Sequence, residues 1–139
     1  MSPMKSTLID SNVLVDLFDD GSEWKGWSDA MVTKCRDRGP IVINPIILAE
    51  VSAGFDSYDA VNQHLPEEFV VREALPWEAA FLAARAFVIY RHAGGQRHSP
   101  LPDFYIGAHA AVAGHTLLTR DPVRIKTYFP KVRLICPQV

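Results

Sequence analysis

Four carboxylates stand where the chain changes character. Asp10 follows the apolar pair Leu8 and Ile9 and opens the run Asp10-Ser11-Asn12; Glu50 lies within IILAEVSAGF; Asp103 begins DFYIGAHAAVAG; Asp121 follows HTLLT and precedes Pro122. Gathered around one cleft, four such groups would repel strongly. The economical remedy is a hard divalent cation held by oxygen, Mg²⁺ or Mn²⁺.

Each acid also has a structural reading. Asp10, Ser11 and Asn12 are all good N-caps, so one of them suffices and the others are surplus. Glu50 falls between Ile46 and Ile47 on a helical wheel, on the apolar side of its helix, where a glutamate needs either a partner or a route to solvent. Asp103, in a first turn, is favoured by the helix dipole, although the small residues Gly107 and Ala110 beyond it leave room for close approach. Asp121 before Pro122 is a capping pair. Singly, each acid stays open between the two readings.

Other chemistries find no support. G-x-S-x-G, a glycine-rich phosphate loop and H-E-x-x-H are all missing from the sequence. His64, His92, His98, His109 and His115 show no ligand spacing and are expected to be isolated surface or satisfied core residues. Cys35 and Cys136 match no metal pattern and are expected to be free thiols. Asp16, Asp19 and Asp20 are expected to face solvent, because Asp16 falls opposite the stripe Val13, Leu14, Leu17 and Phe18.

The elements that must position the four acids follow from periodicity. A strand at about 5–9 leads into a helix at 12–19. A second helix carries Trp24, Trp27, Met31 and Cys35 at helical intervals and stops at Gly39-Pro40. Ile41–Ile43 form a strand, and Asn44-Pro45 supply N-cap and first turn of the next helix. Asp56 begins another. FVVR (69–72) forms a minor strand and Pro76-Trp77 opens a long helix to about His92. AGGQRHSPLP is a loop, Pro102 starts a helix ending at Gly114, HTLLT is a strand, Asp121-Pro122 cap a short helix, and VRLIC is the last strand. Alternating strands and helices predict an α/β domain with a mainly parallel sheet and helices on both faces. Ligands in such sheets bind beyond the carboxyl ends of the strands, where three of the acids fall.

The chain has 139 residues, 48% of them hydrophobic and 22% charged, enough for one domain, 1–139, with its own core. No signal peptide or apolar run of membrane-spanning length is visible, so a soluble cytoplasmic protein without membrane contact is expected. The formal net charge of −2 hides an acidic first half and a basic second half. Arg97 and His98 in the loop, with Arg124, Lys126 and Lys131, are either phosphate contacts or ordinary solvated charges.

The segments LIDSNVLVDLF, NPIILAEVSAGF, PDFYIGAHAAVAG and TLLTRDPVRIKTYFP, in this order across residues 8–130, resemble the PIN-domain ribonucleases, and more closely the VapC toxins of VapBC toxin–antitoxin pairs. The resemblance implies a PIN-like fold, a parallel five-stranded sheet sandwiched by helices, in a homodimer. It implies a metal-dependent endoribonuclease in which Asp10, Glu50, Asp103 and Asp121 hold Mg²⁺ or Mn²⁺, Asn12 and Thr119 support them, and Ser11 or Asn12 is left to cap the first helix. RNA would be cut to leave a 5′-phosphate, Glu50 serving as ligand or base. A VapB-like antitoxin would fold over the helices between residues 12 and 65 and insert an Arg or Lys toward the acids. Asn44 departs from the Ser or Thr expected before its helix. Two alternatives remain: a catalytically silent PIN fold that binds RNA or protein, and a phosphatase of the haloacid dehalogenase type. The latter wants an Asp where Asn12 stands.

Overall fold

The computed structural model of the chain describes residues 5–95 and 101–138. Within them, β1 (Thr7–Ile9), β2 (Ile41–Ile43), β3 (Val71–Arg72), β4 (Thr116–Leu118) and β5 (Leu134–Ile135) form one sheet of order β3-β2-β1-β4-β5. Every pairing is parallel. The central strands β1 (TLI) and β2 (IVI) are buried at every position and, apart from Thr7, apolar, the mark of strands covered on both faces.

Seven helices connect them: α1 (Ser11–Phe18), α2 (Lys25–Arg38), α3 (Pro45–Ser52), α4 (Tyr58–His64), α5 (Trp77–His92), α6 (Leu101–Ala113) and α7 (Val123–Tyr128). With this strand order, the right hand that is near-universal for such connections puts α1–α4 on one face and α5–α7 on the other. Helix contacts agree: α1 packs on α2 and α3, and α6 packs on α5 and α7. The core is dominated by Leu8, Ile9, Ile41, Ile43, Ile47, Phe104, Leu117 and Leu118, all essentially inaccessible to solvent.

Several local expectations need correction. The N-cap of α1 is Asp10 itself, whose side chain accepts from the Ser11 amide; Ser11 and Asn12 already belong to the helix, so neither is left to cap it. The cap of α4 is Ser57, not Asp56. Asp121 does not cap α7, because Pro122 occupies that position with no capping side chain. Asn44 does cap α3, its Oδ1 accepting from the Ile47 amide at 2.9 Å. Asp19 and Asp20 are exposed as expected, but Asp16 is buried, with 2% of its surface accessible.

Gly107 governs how closely two of the helices approach. A Cβ there would lie 2.5 Å from the Phe129 ring and 3.0 Å from Ile125 Cδ1. Only glycine lets α7 close onto α6, and that closure sets the distance between Asp103 on one helix and Arg124 on the other.

Candidate active site

The order of the sheet reverses between β1 and β4, the place where open α/β sheets bind ligands. Asp10 leaves the end of β1 with its amide bonded to the Leu118 carbonyl of β4 at 2.9 Å, so it is pinned at the reversal. A cavity of about 600 Å³ opens there, lined by Asp10, Asn12, Glu50, Asp103 and Asp121 among others. The tertiary structure therefore brings all four acids together from the end of β1, from α3, from the start of α6 and from the segment after β4.

Asp10 is the innermost, with 8% of its surface accessible. Its Oδ1 accepts from the Ser11 amide at 2.7 Å, and its Oδ2 accepts from the Thr119 hydroxyl at 2.8 Å and from Asn12 Nδ2 at 3.4 Å. Burial, with the neighbouring Asp103 and Glu50 charges, raises its pKa from 3.8 to about 6 against the lowering effect of those hydrogen bonds. Thr119 is fully buried. While donating to Asp10, its oxygen accepts from the Asp121 amide at 3.0 Å, and so couples the two acids through one hydroxyl. Asn12 Oδ1 accepts from the Arg120 amide at 3.3 Å, which ties α1 to the same segment.

Glu50 is exposed rather than enclosed by the apolar side of α3; it stands at the rim, where Oε1 accepts from the Ser11 hydroxyl at 3.0 Å. Partial burial, opposed by that bond and reinforced by Asp103, pushes its carboxyl above the ordinary range. Asp103 accepts from Arg124 Nη1 at 2.7 Å. Of the basic residues raised as phosphate contacts, Arg124 lines the acidic cavity, whereas Lys131 borders a different one with Lys5 and Arg133. The expectation for Arg97 and His98 falls outside the described residues.

Two polar clusters escape sequence reasoning. Asp16, expected in solvent, accepts from Ser22 and Ser28 at 2.8 Å each and is gripped in fork fashion by Arg120, Nε at 2.7 Å and Nη2 at 3.1 Å. Burial alone would raise its pKa, but the hydrogen bonds from Ser28, Ser22 and Arg120 and the guanidinium charge hold it below the ordinary value. The Arg120 guanidinium lies over the Trp24 ring, 5.5 Å from its centroid. Its countercharge lies 104 residues away in sequence, so no local signal reveals it.

The second cluster corrects the view of the histidines as isolated. His109 and His115 are buried as expected of core residues, yet both meet Glu73 Oε1 through Nε2 at 2.8 Å. The three ligand atoms lie within 4.8 Å of one another, close enough for one metal ion. The hydrogen bonding argues against that use. Because Asn44 Oδ1 is committed to the Ile47 amide, Nδ2 faces His109 Nδ1 at 3.0 Å, which makes Nδ1 the acceptor and leaves the ring proton on Nε2. A metal on Nε2 would need that proton on Nδ1, pointing at the Asn44 amino group. The trio is instead a clasp: Ser6 bonds His115, Glu73 accepts from both rings, and Asn44 links them to the cap of α3, the helix that bears Glu50.

The acidic cavity is different in kind. Its donors are all oxygen, and among the described residues its innermost carboxylate meets no cationic side chain and only the half-exposed Arg124 offsets the charge, so the residues present fit a hard divalent cation. The PIN-domain profile matches residues 7–129. The chain belongs to the PIN-domain family. Solved structures share the fold of this PIN domain at low sequence identity. VapBC2 from Rickettsia felis bound to a promoter DNA fragment gives a TM-score of 0.73 at 16% identity, over 96% of this chain and 99% of that one. FitAcB from Neisseria gonorrhoeae gives 0.63 at 18%, over 93% and 96%. VapC20 from Mycobacterium tuberculosis, described as a Sarcin-Ricin loop cleaving toxin, gives 0.64 at 15%, over 91% and 98%. No curated protein matches the PIN domain by sequence. Among its described residues no helix is long and apolar enough to cross a membrane.

Proposed function

We propose that this chain is a metal-dependent endoribonuclease, the VapC-type toxin of a toxin–antitoxin pair. The observation that carries the reading is the convergence of Asp10, Glu50, Asp103 and Asp121 on one cavity at the reversal of the sheet, with Asp10 held uncompensated at a pKa of about 6. Mg²⁺ or Mn²⁺ would be held by these four side chains, Asp10 deepest. When bound, such an ion supplies Lewis-acid polarisation of the phosphate and a more acidic water.

The chain's own residues do the rest. Thr119, Asn12 and the Ser11 amide fix both oxygens of Asp10, so its orientation needs no reorganisation when the cavity fills. The same Thr119 oxygen holds the segment of Asp121. Glu50, exposed at the rim with Oε1 accepting from the Ser11 hydroxyl, would serve either as a ligand or as the base that takes a proton from the attacking water. RNA as the substrate class and a VapB-like antitoxin as partner are supported by the neighbouring folds, one described as a Sarcin-Ricin loop cleaving toxin and others as VapBC complexes; a basic side chain of that partner would complement the four acids in charge.

The test is cleavage of structured and single-stranded RNA by the purified protein. Activity is expected with Mg²⁺ or Mn²⁺, none in EDTA, and a loss of at least roughly 100-fold in Asp10→Asn and in Asp103→Asn, at the upper end of what outer-shell changes produce. Cleavage that persists in EDTA or survives both substitutions refutes the metal site; RNA binding without cleavage by the wild type returns the alternative of a silent PIN fold.

A further inference from the structure

Among the described residues, Arg124 is the only basic side chain that lines the acidic cavity. It projects from α7, which the absent Cβ of Gly107 allows to close onto α6 through Ile125 and Phe129. Its position is over-determined. Nη1 donates to Asp103 Oδ2 at 2.7 Å, and the guanidinium lies over the Tyr90 ring, 5.8 Å from its centroid. Tyr90 is itself wedged edge-on between Phe104 and Tyr128, with centroids 5.6 and 6.2 Å away.

Arginine carries five N–H donors in one rigid plane. In Arg120 that fork is spent: two nitrogens lie on the buried Asp16. Arg124 spends one nitrogen on a carboxylate that is 40% exposed and is itself 39% exposed, which leaves its other N–H groups, at the wall of the cavity, without a partner among the described residues. A phosphodiester entering among four acids meets repulsion from each of them, and a planar guanidinium beside them matches its non-bridging oxygens in charge and geometry.

We propose that Arg124 is the phosphate-gripping residue of this site, parked on Asp103 when the cavity is empty and donating its remaining N–H groups to a non-bridging phosphate oxygen when RNA is bound. This rests on the nuclease reading above. The parking bond has a corollary: Arg124 competes with a cation for Asp103, so in the absence of RNA it weakens cation binding.

Arg124→Gln tests both halves, with Arg124→Lys as the charge-preserving control and thermal melting to show that each variant is folded. In an Asp10→Asn background, where cleavage is disabled, fluorescence anisotropy of a short RNA should show roughly 10-fold weaker binding on adding Arg124→Gln, with the slope of log affinity against log salt reduced by about one. In the otherwise wild-type chain, Arg124→Gln should lower kcat by roughly 100-fold, and Arg124→Lys should recover part of both losses. Mn²⁺ affinity, measured by electron paramagnetic resonance of the free ion, should rise roughly 2- to 5-fold in Arg124→Gln, the scale of a half-exposed ion pair.

Unchanged RNA affinity in the Asp10→Asn background overturns the proposal, as does a fall in Mn²⁺ affinity parallel to the fall in activity, which would make Arg124 a strut for Asp103. A wild type that binds RNA through Arg124 but never cleaves it sinks the nuclease reading and leaves the grip standing. A wild type that cleaves, with Arg124→Gln cleaving equally well, does the reverse.

Discussion

Asp10 and Asp16 belong to the same short helix, one as its cap and one inside it, and both are more than nine-tenths buried. Their surroundings make them opposites. Asp16 accepts from two hydroxyls and a two-pronged guanidinium, and its pKa is lowered. Among the described residues Asp10 accepts only from neutral donors and faces two other acids, and its pKa is raised to about 6. Burial of a carboxylate is thus no signature of function by itself. What separates a strut from a reactive site is whether the fold supplies the countercharge or leaves it to come from outside.

The sharpest way to break this contrast is to remove Asp16. Asp16→Ala should destabilise the protein by about 3–5 kcal/mol, because it strands the partly buried Arg120 and frees two serine hydroxyls. Chemical denaturation would measure it. A loss under about 1 kcal/mol would mean that the Asp16 network is no more than a surface ion pair, and the comparison would collapse.

The next effect comes from supplying the missing charge at the other pole. Mn²⁺ at 100 times its dissociation constant should stabilise the wild type by about 2.7 kcal/mol, a rise in melting temperature of roughly 10 °C for a chain of this size. Asp16→Asn, where it folds, should keep that response and Asp10→Asn should lose it. Equal responses in the two variants would remove Asp10 from the metal site.

The smallest effect concerns the metal-free protein. A carboxyl whose pKa rises from 3.8 to about 6 on folding favours the fold fully below about pH 4, and that contribution is lost as pH climbs through 6, up to about 3 kcal/mol by pH 7. Asp10→Asn removes this dependence but places an amide donor against Thr119 and Asn12, which costs about 1 kcal/mol. The variant should therefore be more stable than wild type in EDTA at pH 7, by about 1–2 kcal/mol, and the advantage should vanish near pH 4. Melts in EDTA across this range would show it. A variant less stable at pH 7 would mean that Asp10 is, like Asp16, a structural acid.

Much of this architecture is legible in the chain. β1 and β2 are apolar at every position but Thr7 because both faces of a parallel sheet are covered, and α5 spans Trp77–His92 where Pro76 and the helical period put it. The four acids are legible together as a pattern at strand ends, although local rules give each an equally good structural role. Those rules also fail at the caps: Asp10, Ser11 and Asn12 are all competent, and the choice falls to the acid because the end of β1 places it at the helix entrance. Asp16 is misplaced by a helical wheel, which knows only its own helix, and the side opposite its apolar stripe faces Arg120, not water. The histidines are misjudged for the same reason, since Glu73, His109 and His115 come from three separate segments.

The sequence by itself determined the elements, their order and the residue types at the strand ends, because backbone propensity and hydrophobic period act over a few neighbouring positions. Only the tertiary structure decided which charges meet. Gly107 admits α7 to α6 and so gives Asp103 its arginine, Arg120 crosses the sheet reversal to neutralise Asp16, and Asp10, among the described residues, meets neutral donors alone. Those pairings join residues distant along the chain, and electrostatic interaction depends on their separation in space and on the water excluded between them, neither of which is written in local order.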